Sequence, residues 1–203
     1  MRRPADAHIS DIGSKPGKGA EEMGWSAMIG SESGERAVRA VFQPAGGAEL
    51  RIDRRGTWFF GGEPCTRKEL VCLLASRLRR NESGGYEVLL PHEAQPVPVQ
   101  VADAPFLAVE VFRSGSGESQ VLSFRTNVDR IVTLDAEHPL YLALDPELGE
   151  PVPYLVVAEG LSARLSRPVY YELAALGELG QHDGKEVLGI WSNRRFFVLG
   201  EMA

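Results

Sequence analysis

The sequence predicts an α+β protein made of two small subdomains, each with a sheet and one helix. Short apolar runs alternate with polar residues and are separated by Gly-rich turns, which is the pattern of β-strands. Two longer stretches instead space their leucines as amphipathic helices do. An aromatic segment at 56–60 is echoed at 191–198, and Arg67 near one helix start is echoed by Arg167 near the other. Together these observations indicate a duplicated sheet-plus-helix motif.

The composition is that of an ordinary globular protein. The chain has 203 residues, of which 43% are hydrophobic and 25% charged, so it can bury a core in one or two domains. A net charge of -6 excludes an extended nucleic-acid surface and argues against docking on an anionic membrane. No apolar run reaches the roughly 18 residues of a membrane span. The spacing of Cys65 and Cys72 fits no zinc motif, so we expect reduced thiols and no metal ion. We also expect a cytoplasmic protein and no cofactor.

The first subdomain is expected at 47–102, after a Gly-, Ser- and charge-rich stretch at 1–46 that predicts a disordered extension. Thr66 resembles a helix N-cap, and Glu69 three residues later completes a capping box. The apolar spacing carries this helix to about Arg80. Strands are predicted at 50–53, 57–60, 86–90 and 95–101, the last as an edge strand because it contains two prolines.

The second subdomain is expected at 103–203. Its helix runs from about Arg167 to Leu176, with Ser166 as the candidate cap and Pro168 in the first turn. Alternating or aromatic-rich runs predict its strands at 106–112, 121–124, 130–134 and 152–158, with a closing hairpin of 188–191 and 196–199.

A concentration of polar groups in the second subdomain is the strongest sign of a site. Arg125, Thr126 and Asn127 directly follow a strand that should be well held, so we predict a binding role for them. Asp135 and His138 allow three interpretations, namely metal ligands, an acid–base pair, or a turn capped by the aspartate. No activated nucleophile accompanies the imidazole, which favours the turn.

Arginines at both helix starts indicate an anion receptor. A helix N-terminus already carries partial positive charge, so Arg67 and Arg167 are electrostatically misplaced unless an anion binds there. The alternative is that each pairs with a nearby acid or lies along the surface. Trp58 and Tyr171 most simply fill the core, but they would form the wall of a ring-stacking cleft if the two aromatic strands faced each other.

The ordered motifs of the chain resemble the bacterial domain-of-unknown-function family 1285. The likeness spans about residues 50–200 and is carried by the segments at 56–59, 101–106, 124–127, 135–140, 153–154, 169–173 and 191–192. It implies a duplicated two-subdomain α+β protein, with a second subdomain superficially like a pleckstrin-homology fold. The family has no established enzymatic activity. The resemblance implies a cleft that has been suggested to bind a nucleotide-like ligand, and a role in signalling.

The resemblance also assigns positions. The polar motif residues that match are Arg125, Thr126, Asn127, Asp135 and His138, and the aromatic matches are Trp58 and Tyr171. The chain has Glu93-Ala94 where the family often has Glu-Lys, which leaves ligand choice open.

Three functions follow as hypotheses. The leading one is a ligand-binding or regulatory module that takes a small anionic, nucleotide-like ligand between the subdomains, in a cleft reached by Arg125 and a helix N-terminus. The second is a hydrolase or transferase that uses His138 with Asp135. The third is a scaffold for a protein partner.

Overall fold

The computed structural model describes residues 49–90, 95–145, 147 and 149–201, all within one compact unit. The predicted extension at 1–46 and the Glu93-Ala94 pair lie outside the described residues. In the part of the chain that the structure describes, neither helix has the length and apolarity needed to cross a membrane.

The first half contains one helix and a six-stranded sheet. Helix α1 spans Lys68–Ser76 and connects the third and fourth strands. The sheet has the order β3-β2-β1-β6-β5-β4, and its strands are β1 Leu50–Ile52, β2 Trp58–Phe60, β3 Glu63–Pro64, β4 Leu78–Arg80, β5 Tyr86–Val88 and β6 Val97–Val101.

The second half contains another six-stranded sheet, followed by a helix and a three-stranded sheet. The six strands have the order β10-β11-β12-β7-β8-β9 and are β7 Phe106–Ser114, β8 Val121–Thr126, β9 Ile131–Thr133, β10 Leu140–Leu144, β11 Pro151–Ala158 and β12 Leu161–Leu165. Helix α2 spans Arg167–Leu176, and the last sheet consists of β13 Glu178–His182, β14 Lys185–Ser192 and β15 Arg195–Glu201.

The two six-stranded sheets share one topology. Each consists of two antiparallel three-stranded meanders, and the first and last strands of the sheet pair in parallel at its centre. The prediction that β6 is an edge strand is therefore wrong: Pro98 precedes the residues of β6 that pair with β1, so it removes no bond from that ladder. The shared topology is consistent with the duplication that the sequence predicts. The echoing segments are not the equivalent parts, however, because 56–60 leads into β2 whereas 191–198 lies in the separate three-stranded sheet. The helices differ as well, since α1 lies inside its sheet's connection and α2 follows the whole second sheet.

Helix α1 is shorter than predicted at both ends. Its N-cap is Arg67, and no side-chain capping bond forms, so the capping box of Thr66 with Glu69 is wrong. The helix ends at Ser76, and Leu78–Arg80 forms β4, which pairs with β5. Leu78 is buried in this strand, as it would be on the helix stripe, so the apolar pattern did not separate the two structures.

The cores are apolar and lie on one face of each sheet. Trp58, Leu50 and Ile52 fill the core of the first half, while Phe106, Phe124 and Leu155 fill that of the second. Side chains in β8 alternate between buried and partly exposed, as expected for a strand with one face on the core. The side chain of Arg125 therefore lies on the face of β8 away from the core, and the side chain of Thr126 lies on the face toward the core.

Candidate functional site

Arg125 lies in a chain of ion pairs on the open face of the second sheet. Its Nε is 2.7 Å from Oε2 of Glu110, and its Nη1 is 3.0 Å from Oδ1 of Asp129. The other Asp129 oxygen is 2.5 Å from Nζ of Lys68, the first residue of α1. The structure therefore brings Arg125 and the start of α1 together, as the anion-site hypothesis expected, but the carboxylate of Asp129 lies between them. Its pKa is lowered, mainly by the hydrogen bond from Lys68.

Thr126 and Asn127 hold backbone in place. The Oγ1 of Thr126 is buried and accepts a hydrogen bond from the Arg130 N–H at 3.1 Å, which closes the turn between β8 and β9. The side chain of Asn127 accepts from the Leu107 N–H at 3.0 Å and donates to the Gly56 carbonyl oxygen at 2.9 Å. Asn127 therefore links the second sheet to the turn between β1 and β2 in the first half.

Asp135 and His138 form a turn. One oxygen of Asp135 accepts the backbone N–H groups of Glu137 and His138, both at 2.9 Å, and lies 3.2 Å from the His138 Nδ1. Burial works against the charge on this carboxyl, but the bonds from the backbone N–H groups outweigh it and lower its pKa. Among the described residues, no group of three or more His, Cys, Asp or Glu side chains is arranged to hold a metal ion. The geometry thus agrees with the turn interpretation.

The remaining predicted positions are dispersed. Arg67 caps α1 without a side-chain bond to it, and Arg167 begins α2, where Ser166 is the N-cap and Pro168 lies in the first turn. Both arginines are exposed. Tyr171 on α2 is 66% exposed, whereas Trp58 is 1% exposed and fills the first core. The indole Nε1 of Trp58 is buried without a hydrogen-bond partner in the described structure.

A cluster that the sequence analysis did not single out joins the two halves. The side chain of Asp145 is fully buried and pairs with Arg54, from the turn between β1 and β2, and with Nη2 of Arg164, from β12, at 2.8 Å. Arg54 also reaches Glu147 at 2.8 Å. Arg164 reaches Asp103, in the connection between the two sheets, at 2.8 Å. Five charged groups thus alternate in sign at the place where the halves meet.

Tyrosine rings lie beside these charges. The hydroxyl of Tyr154 donates to Asp103 at 2.9 Å, and burial together with this bond raises the pKa of Tyr154 to about 12. The ring of Tyr141 stacks on that of Tyr154, with centroids 5.4 Å apart and planes 17° from parallel. Tyr141 is 40% exposed, and its hydroxyl donates to the Oγ of Ser162 at 2.9 Å. Burial raises the pKa of Tyr86, from β5 of the first half, against the opposing effect of the nearby Arg80 guanidinium.

We call the row of contacts between the two halves the junction. It consists of the pairs Arg54–Asp145, Gly56–Asn127, Cys72–Val128 and Lys68–Asp129, in which the Cys72 Sγ donates to the Val128 carbonyl oxygen at 3.5 Å. The tyrosine stack adjoins the Arg54–Asp145 end of the junction, because Tyr154 bonds Asp103 and Asp103 pairs with Arg164, which also pairs with Asp145.

Signals for this cluster were present in the sequence, although they are weak. Arg164 occupies a polar position in the alternating run at 161–165, and Tyr154 lies within a predicted strand. Charged or hydroxyl groups inside strands require partners. Those partners come from turns far away in sequence, and local spacing does not identify them.

Comparisons with known proteins agree on one family. Residues 42–104 match the N-terminal domain, and residues 105–199 the C-terminal domain, of a protein of unknown function (DUF1285). A crystal structure of a DUF1285 family protein from Silicibacter pomeroyi DSS-3 is 39% identical, covers 78% of this chain and 82% of its own, and superposes with a TM-score of 0.69. A second, from Shewanella baltica OS155, is 25% identical over 62% of this chain and 89% of its own, with a TM-score of 0.48. No curated protein matches.

Proposed function

The chain belongs to the DUF1285 family, and we propose that it is a ligand-binding or regulatory module that takes a small anionic, nucleotide-like ligand at the junction. In this proposal the protein acts in cytoplasmic signalling, and its two subdomains, 47–102 and 103–203, form the two sides of the site. A pleckstrin-homology-like second subdomain belongs to the same proposal, as an expectation from the family resemblance.

The observation that carries the proposal is a partly exposed tyrosine stack beside two arginines. Tyr141 stacks on Tyr154 and is 40% exposed, so part of its surface is available for a further contact. Stacking of a base on an aromatic side chain contributes about 1–3 kcal/mol. Arg54 and Arg164 present guanidinium groups, which bind phosphate or carboxylate through paired hydrogen bonds.

The internal carboxylates define the cost of binding. Arg54 and Arg164 are already neutralised by Asp145, and Arg164 also by Asp103. A ligand anion must therefore replace a protein carboxylate, and such an exchange yields less free energy than filling an empty cationic site. We accordingly propose a ligand with both a ring and an anionic group, since neither contact suffices alone.

The residues nominated from the sequence have different roles in this proposal. Arg125 and Arg67 add positive charge along the same junction, where Asp129 already bridges Arg125 and the start of α1. Thr126, Asn127 and Trp58 support the site by holding the turns and the core beneath it. For Arg167, Tyr171, Asp135 and His138, direct ligand contact stays a prediction.

A thermal-shift experiment tests the proposal. Adenosine 5′-monophosphate, adenosine and inorganic phosphate are each added to the wild type, Tyr141→Ala and Tyr171→Ala. At a concentration of about 100 Kd a ligand stabilises by about 2.7 kcal/mol, and each kcal/mol raises the Tm of a protein of this size by roughly 2–4 °C. We expect a shift with the nucleotide, smaller shifts with its two parts, and loss of the nucleotide shift in Tyr141→Ala.

Tyr171→Ala is the matched control, because it removes a still more exposed tyrosine from α2. Loss of the shift in this variant alone would locate the ligand at α2 and refute a site at the junction. Absence of any shift with millimolar nucleotide in the wild type would refute nucleotide binding itself.

A further inference from the structure

We propose that the ion pairs of Arg54 with Asp145 and Glu147 form a releasable latch that closes the junction. The proposal deepens the function above, because it states how access to that same site is regulated, and it rests on that function for the identity of what enters. A ligand anion that takes Arg54 away from Asp145 would release the latch, and ligand binding and opening would then be coupled.

The geometry allows Arg54 to leave without stranding a buried charge. Asp145 is the fully buried partner, and it keeps Arg164 at 2.8 Å when Arg54 departs. Arg164 in turn keeps Asp103. Arg54 is the more exposed of the two arginines and lies on a turn, so water can solvate it in the open state. Removing Arg164 instead would leave the mostly buried side chain of Asp103 without its cationic partner.

Two other contacts of the junction are also ones that water or salt can replace. One is the hydrogen bond from Asn127 to the Gly56 carbonyl oxygen, and another is the exposed pair of Lys68 with Asp129. Ion pairs of this kind contribute little net stability, because desolvation offsets most of their attraction. A junction closed by such contacts is suited to opening while both cores stay folded.

Cys72 is a native reporter of this opening. Its thiol is buried on α1, and its Sγ contacts the Val128 carbonyl oxygen across the junction. Burial raises the pKa of this thiol, which slows its reaction in the closed state. Cys65, the other cysteine, is partly exposed and would mask the signal. The experiment therefore uses full-length Cys65→Ser protein and follows alkylation by iodoacetamide at one fixed pH.

Arg54→Met is compared with Arg79→Met, which removes a guanidinium paired with Glu87 inside the first sheet. We expect Arg54→Met to accelerate the labelling of Cys72 about five- to tenfold, and added salt to accelerate labelling in the wild type. Arg79→Met should change the rate by less than about twofold. In low urea the accelerated rate should be nearly independent of urea, because local opening exposes little surface.

Two results would overturn the latch. One is equal labelling rates in Arg54→Met and the wild type, or equal acceleration by Arg79→Met. The other is acceleration with the steep urea dependence of global unfolding, which would mean that Arg54 only stabilises the whole fold. Labelling of the wild type with adenosine 5′-monophosphate present separates the two proposals. If the nucleotide changes neither the Tm nor the labelling rate while Arg54→Met still accelerates labelling, the latch stands and nucleotide binding fails. If it raises the Tm but leaves the labelling rate unchanged, release of the latch by the ligand is overturned.

Discussion

Truncation of Asn127 is the sharpest test of how the two halves are joined. The Asn127→Ala substitution removes the bond to the Gly56 carbonyl oxygen at 2.9 Å and the bond from the Leu107 N–H at 3.0 Å. Each bond contributes about 1 kcal/mol net, and a partly buried group left without a partner costs a further 1 kcal/mol or so. We therefore expect the free energy of unfolding to fall by about 2–4 kcal/mol.

Gly56 makes the same test quantitative through a double-mutant cycle. Gly56 has a φ of 75°, and a Cβ placed on it would lie 2.4 Å from the Nδ2 of Asn127. In the wild type, Gly56→Ala has both the left-handed backbone cost, about 1 kcal/mol, and this clash. In the Asn127→Ala background the clash is absent, so only the backbone cost should remain. The two substitutions must therefore couple.

Urea denaturation of the four proteins of this cycle supplies the measurement. Asn81→Ala is the matched control, because the Asn81 side chain bonds only within an exposed turn of the first half, to Ser83 and Gly85. It should cost about 1 kcal/mol or less. A cost for Asn127→Ala no larger than that of Asn81→Ala, or an equal cost of Gly56→Ala in both backgrounds, would refute the role assigned to Asn127.

Three further predictions concern single positions. Arg194→Gly should raise the free energy of unfolding in urea by about 0.5–1 kcal/mol. Asn193 and Arg194 have φ of 50° and 62° in a tight hairpin, and this backbone conformation favours the pair Asn-Gly. A lower free energy of unfolding would contradict the prediction. Folding lowers the pKa of Asp135, so the stabilisation by its carboxylate is present above the unfolded-state pKa and is lost as the pH falls through the folded-state pKa. The difference in unfolding free energy between the wild type and Asp135→Ala should therefore shrink from about pH 5 downward. A difference that stays constant with pH would refute this prediction. Gly189→Ala should cost at least about 2 kcal/mol in thermal unfolding, since its Cβ would lie 2.3 Å from the Phe196 ring and 2.8 Å from a backbone oxygen; a neutral effect would contradict that contact.

Elements with strong local patterns could be predicted from the sequence. The aromatic and β-branched runs at β7, β8 and β11 form strands, and Ser166 lies at the N-cap of α2 with Pro168 in its first turn, although the Ser166 side chain makes no capping bond. The strand at β12 was missed, although residues 161–165 alternate apolar with polar and Arg164 lies at one of the polar positions. The end of α1 was also wrong, because pairing of Leu78–Arg80 with β5 overrides a continuing helical stripe.

The candidate site was predicted only in part. The segment at 125–127 does lie at the junction, and Arg125 does meet the start of α1, through Asp129. The internal carboxylate between them was not foreseeable, because Asp129 takes a left-handed backbone conformation that turns it toward Lys68 only in the folded hairpin. In the network around Asp145, Arg54 and Asp145 are 91 positions apart, and the weak local signals at Arg164 and Tyr154 do not identify such distant partners.

Isothermal titration of adenosine 5′-monophosphate into the wild type and Tyr141→Ala is the most direct test of the junction as a ligand site. The account predicts saturable one-to-one binding to the wild type and a loss of affinity of about tenfold or more in Tyr141→Ala, which corresponds to about 1.4 kcal/mol of stacking. It also predicts weaker binding at high salt, since the anionic group must engage Arg54 or Arg164. Equal affinity in the two proteins would contradict a ligand stacked on Tyr141.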